Sequence, residues 1–249
     1  MGHPVLLHGF TGSSSSWGQL VDGLSGAGQP PVLVDLPGHG RNAGVSDSAH
    51  FTIDAMLDVI AGAGDWPEAL VGYSMGGRLA LHFALAYPRR VTKLVLESAS
   101  PGLTDEAERA TRRDRDEALA SSIERDGIEA FVDEWERMPL FETQGRLSEE
   151  TLHAQRLRRL RNDPASLAAA LRGLGTAALP GLWDRLGELD MPVLLVVGAL
   201  DEKFVEIGYR MEERLPHADL VVVPDSGHAV HLERPAAWLG AVTDFLGRG

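Results

Sequence analysis

The chain has 249 residues, a length that suits one domain with an insertion, and 44% of them are hydrophobic, which excludes wholesale disorder. Its 23 basic and 36 acidic residues give a net charge of −13, so we expect neither nucleic acid nor a membrane surface as a partner. The absence of cysteine excludes disulfides, thiolate catalysis and zinc sites built on cysteine.

Short apolar runs alternate with segments of helical period through the first hundred residues. The predicted strands are residues 4–8, 31–34, 69–73 and 91–96. The predicted helices are residues 17–24, 52–61 and 77–87. This alternation predicts an α/β fold, a mostly parallel sheet with helices on both faces. No charged leader or long apolar stretch is visible, so we expect a cytoplasmic protein without a membrane segment.

The middle of the chain, residues 104–189, has no convincing strand pattern. Helical patterns dominate it, at residues 105–125, 128–137, 148–161 and 165–173. The alternation then returns, with strands predicted at 193–198 and 220–223 and helices at 205–215 and 235–246. We therefore expect residues 1–103 and 190–249 to form the core, and residues 104–189 to form a helical lid. Such an insertion often covers the carboxyl ends of the strands, where parallel sheets bind ligands.

The most specific motif is Gly72-Tyr73-Ser74-Met75-Gly76, a G-x-S-x-G between a predicted strand and a predicted helix. A tight turn of this kind raises the serine hydroxyl above the sheet, and the helix amino terminus stabilises negative charge. Ser74 is therefore the candidate nucleophile or base. The alternative is a Gly-Ser-Gly turn without function.

A serine hydroxyl needs a group that accepts its proton. Asp201 follows the fifth predicted strand and His228 follows the sixth, so both are expected at the sheet edge that carries Ser74. The order Ser, Asp, His is that of α/β-hydrolases. Alternatively, Asp201 caps the following helix and His228 is an ordinary loop residue. His231 is expected to be structural or part of a pocket wall.

Two backbone N–H groups are candidates for stabilising an oxyanion. The turn His8-Gly9-Phe10-Thr11-Gly12 follows the first predicted strand, and Met75 follows the serine. The N–H groups of Phe10 and Met75 would form the pair. The alternative is an ordinary glycine-rich turn. The glycine-rich residues 35–41 lack phosphate-loop and dinucleotide patterns, so we interpret them as structural.

Together these motifs resemble the α/β-hydrolase superfamily across nearly the whole chain. Longer stretches are similar to one branch of it, the 2-succinyl-6-hydroxy-2,4-cyclohexadiene-1-carboxylate synthases of menaquinone biosynthesis. These stretches are GYSMGGR at 72–78, ESASPGL at 97–103, EWERMPLF at 134–141, RLRND at 159–163 and GALDEKF at 198–204. The chain begins almost directly at the first predicted strand, so we expect the antiparallel strands that usually open this fold to be missing.

The resemblance implies a lyase and not a hydrolase. Enzymes of this branch remove pyruvate from an enolpyruvyl cyclohexene, with the serine, here Ser74, acting as a base through His228 and Asp201. They need no metal or organic cofactor. Their substrate is a small anion with three carboxylates, so forked cationic donors are expected in the pocket.

The resemblance also implies five substrate-binding residues: Tyr73, Arg78, Trp135 and, on the lid helices, Arg112 and Arg159. Arg78 could instead be an exposed, solubilising side chain. Trp135 could be lid core, because Phe131 lies four residues earlier on the same helical face. The register of Arg112 and Arg159 is open, because other arginines lie close by: Arg109, Arg113, Arg156, Arg158 and Arg161.

Two other functions stay open. A serine hydrolase, either a carboxylesterase or a carbon–carbon bond hydrolase, would use the same three residues with an attacking water. A binding protein of the same fold would not need Ser74, Asp201 and His228 together. The sequence does not predict the oligomeric state.

Overall fold

A computed structural model of the protein describes residues 3–248. The six strands of this part form one sheet in the order β2-β1-β3-β4-β5-β6, and every neighbouring pair is parallel. The strands are β1 (Val5–Leu7), β2 (Val32–Val34), β3 (Glu68–Tyr73), β4 (Val91–Glu97), β5 (Val193–Gly198) and β6 (Ala218–Val223). Each strand lies within two residues of its predicted position.

Nine α-helices connect and cover these strands within residues 3–248. They are α1 (Leu20–Gly26), α2 (Ile53–Ala61), α3 (Met75–Ala86), α4 (Glu106–Trp135), α5 (Glu149–Leu160), α6 (Pro164–Leu174), α7 (Glu202–Glu212), α8 (Val230–Glu233) and α9 (Pro235–Gly247). None of these helices is long and apolar enough to cross a membrane.

The sheet is apolar on both faces because helices pack on both. In β5 the side chains of Val193 and Leu195 lie in the same cluster as those of α2 and α3. Those of Leu194 and Val196 point the other way, into a cluster with α1 and α9. Successive side chains of a strand alternate between faces, so a continuous apolar run is what a doubly covered strand requires.

Residues 104–189 contain helices and no strand, as the sequence predicts. Helices α4 and α6 share a small apolar cluster that includes Ile123 and Phe131 from α4 and Leu167 from α6. Helix α4 covers both helices predicted at 105–125 and 128–137, with a break at Gly127, whose φ of 83° is non-helical. The division into core and lid stays a prediction.

Two local expectations are wrong. The helix predicted at 17–24 is a 3₁₀ turn, Ser14–Trp17, followed by α1, and Gly18 separates them with a φ of 42°. A positive φ strains other residues and favours glycine, so this position ends the turn. Helix α7 begins at Glu202, three residues before its predicted start, so that Asp201 directly precedes it.

Candidate active site

Ser74 lies on a strained turn between β3 and α3. Its φ of 51° is in the left-handed region, which is costly for a serine and raises its side chain out of the sheet. A Cβ on Gly76 would lie 2.3 Å from the Leu7 carbonyl oxygen, and one on Gly72 would lie 2.5 Å from the Gly76 carbonyl oxygen. The two glycines therefore let α3 approach β1 and β3 closely enough to form the turn.

The three residues predicted to act together are in hydrogen-bonding distance. His228 Nε2 lies 3.0 Å from Ser74 Oγ, and His228 Nδ1 lies 2.7 Å from Asp201 Oδ2. A carboxylate only accepts hydrogen bonds, so Nδ1 carries the proton and Nε2 is free to accept from the serine hydroxyl. The Asp201 side chain makes no capping bond to α7, so the alternative role as a helix cap is wrong.

The turn after β1 is fixed by a buried histidine. His8 donates from Nδ1 to the Gly9 carbonyl at 2.8 Å, and its Nε2 accepts the Leu36 N–H at 3.1 Å. The turn brings Phe10 to the cavity that Ser74 and Met75 also line. Within residues 3–248 the N–H groups of Phe10 and Met75 donate to no acceptor, as an oxyanion pair requires.

Burial holds His8 and the adjacent His39 in the neutral form. Desolvation lowers the pKa of His8 from its ordinary value of 6.5 to about 4. Desolvation, and then repulsion from His8, lowers the pKa of His39 to about 3. A protonated His8 could also not accept the Leu36 N–H, so the hydrogen bonds and the burial agree.

We expect acid to destabilise the protein through these two histidines. In the unfolded chain the two histidines bind protons below about pH 6.5, whereas in the folded protein they bind protons only at about pH 4 or lower. Stability is therefore complete above pH 6.5 and falls as the pH drops toward 4. Between pH 7.5 and 5 each histidine should lower the free energy of unfolding by about 2 kcal/mol. Urea unfolding at both pH values measures this loss.

The His39→Gln variant should show a smaller loss of stability between these pH values. The matched control is His153→Gln, at an exposed position on α5. Equal pH dependence in the two variants would contradict the assignment of the acid sensitivity to the buried pair.

The cavity in front of Ser74 has a volume of about 1140 Å³ and a positively charged lining. Three acidic side chains line it: Glu108, Asp116 and Glu206. Seven cationic side chains line it: Arg78, Arg112, Arg115, Arg158, Arg159, Lys203 and Arg210. A chain with a net charge of −13 thus concentrates positive charge at one place. Exposed charges are screened beyond about 8 Å at physiological salt, so this local excess governs a bound ligand.

Arg78 is buried in the cavity wall, so the alternative of an exposed, solubilising arginine is wrong. It donates from Nη2 to the Leu174 carbonyl at 2.7 Å and from Nη1 to Thr176 Oγ1 at 3.1 Å. Desolvation, and then the nearby Arg112, lowers its pKa to about 10. Arg78 forms no salt bridge with a described carboxylate, and its charge is therefore available to an anion.

The structure brings the other predicted contact residues to the same cavity. Arg112 and Arg159 line it, but Arg112 pairs with Asp116 at 2.8 Å and Arg159 pairs with Glu136 at 3.0 Å. Arg159 also lies 5.2 Å above the Phe141 ring. Neither arginine is a free cation.

Trp135 packs against aromatic rings on three sides, and its role in substrate binding stays a prediction. Its ring lies 5.4 Å from that of Phe10, 5.3 Å from that of Phe131 and 5.5 Å from that of Phe141. It also lines the cavity. Trp135 therefore joins the apolar packing of α4 to the turn that carries Phe10.

Tyr73 and His231 form one wall of the cavity. Their rings lie 4.6 Å apart, and burial, followed by the charge of Glu97, raises the pKa of Tyr73 well above its usual range. His231 is a wall residue, as predicted, and its Nδ1 lies 2.8 Å from Glu97 Oε1. Glu97 was not predicted as a site residue, although its carboxylate lies at the carboxyl end of β4, the sheet edge that carries Ser74.

Helix α7 also contributes side chains to the cavity, which was not predicted from the sequence. Lys203, Glu206, Ile207 and Arg210 line the cavity, and their spacing of three, four and seven residues is that of one helical face. Arg210 lies 4.4 Å above the Trp183 ring. The helical spacing is enough to show that these four side chains share one face of α7, but it does not show that this face lines the cavity.

Comparisons with known proteins extend over nearly the whole chain. The sequence matches the alpha/beta hydrolase fold family over residues 5–235. It is 43% identical over 246 residues to a Bacillus subtilis (strain 168) protein provisionally named 2-succinyl-6-hydroxy-2,4-cyclohexadiene-1-carboxylate synthase, with 97% of this chain and 89% of the relative covered. MenH from S. aureus has a TM-score of 0.87 at 34% identity, covering 98% of this chain and 93% of that one. A thermophilic esterase from Thermogutta terrifontis (malate bound) has a TM-score of 0.81 at 28% identity, covering 99% and 90%.

Proposed function

The chain belongs to the alpha/beta hydrolase fold family, and within it to the branch of the 2-succinyl-6-hydroxy-2,4-cyclohexadiene-1-carboxylate synthases, so we propose that it carries out their reaction in menaquinone biosynthesis. The substrate would be 2-succinyl-5-enolpyruvyl-6-hydroxy-3-cyclohexene-1-carboxylate. The products would be pyruvate and 2-succinyl-6-hydroxy-2,4-cyclohexadiene-1-carboxylate.

One observation carries this proposal beyond the resemblance. The Ser74–His228–Asp201 relay opens into a cavity lined by seven cationic side chains, five of which pair with no carboxylate among residues 3–248. A substrate with three carboxylates matches this charge, since guanidinium groups bind carboxylates through paired, charge-assisted hydrogen bonds. A neutral ester would gain little from the same lining.

The proposed step is a proton abstraction followed by elimination. Ser74 Oγ takes the proton from the ring carbon beside the succinyl ketone while its own proton moves to His228 Nε2. The electrons of the broken C–H bond form a new ring double bond, the existing double bond shifts by one carbon, and the ring C–O bond to the enolpyruvyl group breaks. The released enolpyruvate gains one proton on its methylene carbon and becomes pyruvate, and the proton that His228 received balances this gain, so that the relay returns to its starting state.

Three further groups would lower the barrier. Asp201 stabilises the imidazolium that forms when His228 receives the proton, and it keeps Nε2 directed at Ser74. The N–H groups of Phe10 and Met75 would bind the ketone oxygen of the succinyl group as it becomes an enolate oxygen. Because these donors are fixed before the reaction, they need no reorganisation as the charge develops.

The test is to incubate the protein with the enolpyruvyl precursor and to follow pyruvate with lactate dehydrogenase and NADH. We expect pyruvate release at rates far above the spontaneous reaction. A parallel assay with p-nitrophenyl esters tests the alternative, a serine hydrolase, which the likeness to the Thermogutta esterase favours. Ester hydrolysis without pyruvate release would reject the proposal in favour of that alternative.

Replacing Arg78 should weaken substrate binding. We expect Arg78→Ala to lower kcat/KM by about 10–100-fold, chiefly by raising KM, because one charge-assisted carboxylate contact is lost. The matched control is Arg185→Ala, which removes an exposed arginine that pairs with Glu188 and does not line the cavity. Thermal unfolding of both variants separates lost binding from lost stability. Equal kinetics in the two variants would contradict the anionic site.

A further inference from the structure

Helix α5 presents two differently charged faces. Arg156 and Arg159, three residues apart, face the carboxyl end of α4. Arg156 pairs there with Asp133 at 2.6 Å and with Glu136, the residue after the helix, at 2.9 Å, and Arg159 pairs with Glu136 at 3.0 Å. Both charges on this face are therefore neutralised by carboxylates of the protein. An arginine that already pairs with a carboxylate of the protein binds a substrate carboxylate less strongly.

The adjacent side of α5 is turned toward the turn that carries Phe10. It is formed by Gln155 and Arg158 and continued by Asn162, at a spacing of three and seven residues. Asn162 is buried and donates from Nδ2 to the Thr11 carbonyl at 3.1 Å, which fixes the rotation of α5 relative to that turn. Gln155 and Arg158 both line the cavity in front of Ser74.

Arg158 is a cation without a carboxylate partner in the described part of the chain. Its Nε donates to Ser15 Oγ at 3.1 Å, and its two Nη groups hydrogen-bond no residue among 3–248. Partial burial, and then repulsion from Arg159 and Arg161, lowers its pKa. An anion bound here would offset both the desolvation of the guanidinium and its repulsion from Arg159 and Arg161.

Gln155 supplies a second, independent sign of a ligand. Its side chain is 95% buried, and its Nε2 has no acceptor in the described structure. A buried donor without an acceptor is costly, and such groups in native proteins are often satisfied by a ligand or a water. Gln155 and Arg158 lie three residues apart on α5, and both line the cavity.

We propose that Gln155 and Arg158, with Ser15 orienting the guanidinium, form a subsite that binds one carboxylate of a dicarboxylate or tricarboxylate ligand. Arg158 thereby becomes a specificity-determining residue beside Arg78, and Arg159 serves mainly to hold α5 against α4. The identity of the ligand rests on the proposed function. The subsite itself rests on the contacts of α5.

The experiment measures the binding of tricarballylate, a simple tricarboxylate, to the full-length protein by calorimetry at constant ionic strength. Arg158→Gln should raise its Kd by about 10–100-fold, because a charge-assisted, forked contact is lost. Arg158→Lys, which keeps the charge without the fork, should show an intermediate Kd. The matched control is Arg161→Gln, which removes an exposed arginine at the end of the same helix and should change Kd less than twofold.

The outcomes separate the subsite from the proposed function. Wild-type protein that binds no tricarballylate, or Arg158→Gln that binds it as tightly as Arg161→Gln does, overturns the subsite whatever reaction is catalysed. Weakened tricarballylate binding in Arg158→Gln supports the subsite even if the enolpyruvyl precursor releases no pyruvate. If pyruvate is released, Arg158→Gln should have a higher KM than wild type and a kcat within about threefold of it. The lost contact binds the substrate and the transition state equally, so its loss affects KM and not kcat.

Discussion

Ser74→Ala should lower kcat for the enolpyruvyl precursor by about 10³-fold or more, because general base catalysis alone contributes a factor of about 10²–10⁴. KM should change little, because the hydroxyl acts on a proton and binds no carboxylate. Alanine retains the Cβ that the turn at a φ of 51° already accommodates, so the fold should be preserved. The absorbance of the conjugated diene product measures the rate.

The control for this prediction is Ser25→Ala. Ser25 lies on α1, is not among the residues that line the cavity, and its hydroxyl donates to the Val21 carbonyl at 2.7 Å. The loss of that hydroxyl should leave the rate within twofold of wild type. A rate for Ser74→Ala close to that of Ser25→Ala would remove Ser74 from the mechanism.

Asp201→Asn should lower kcat by about 10²–10⁴-fold while the fold is retained. The asparagine amide can donate to His228 Nδ1, and the imidazole proton then moves to Nε2. That nitrogen lies 3.0 Å from Ser74 Oγ and could no longer accept the serine proton. The variant also loses the negative charge that stabilises the imidazolium.

The matched control is Asp225→Asn. Asp225 precedes Ser226 in the loop that carries His228, it is exposed, and its positive φ of 53° suits asparagine as well as aspartate. We expect its kcat to be within twofold of wild type. If both variants lose the same activity, the loss in Asp201→Asn would reflect a disturbed loop and not a lost relay.

The sequence predicts the sheet well because its signal is local. Apolar runs such as Val193–Gly198 can only be buried between two helical layers, and a loop at the carboxyl end of each strand must lie at the same edge. This reasoning brings Ser74, Asp201 and His228 together before any distance is known. The relatives confirm the fold class that the motifs predict.

The pairing of the arginines could not be predicted, because it depends on contacts between distant segments. Arg158 and Arg159 are adjacent in sequence but about 100° apart around the helix, so one residue of register decides which of them is neutralised. That register is fixed by Asn162 and by Glu136, 26 residues apart in the chain. The same limit explains why Glu97, paired with His231 across 134 residues, escaped prediction.

We propose that the site eliminates pyruvate and does not hydrolyse its substrate. Elimination forms one conjugated diene for each pyruvate, whereas hydrolytic removal of the enolpyruvyl group would release pyruvate and leave an unconjugated ring that carries an added hydroxyl. The direct test is to measure pyruvate and diene in the same reaction of the wild-type protein with the enolpyruvyl precursor. We expect equal amounts of both at every time point, and pyruvate without diene, or neither product, would contradict the claim.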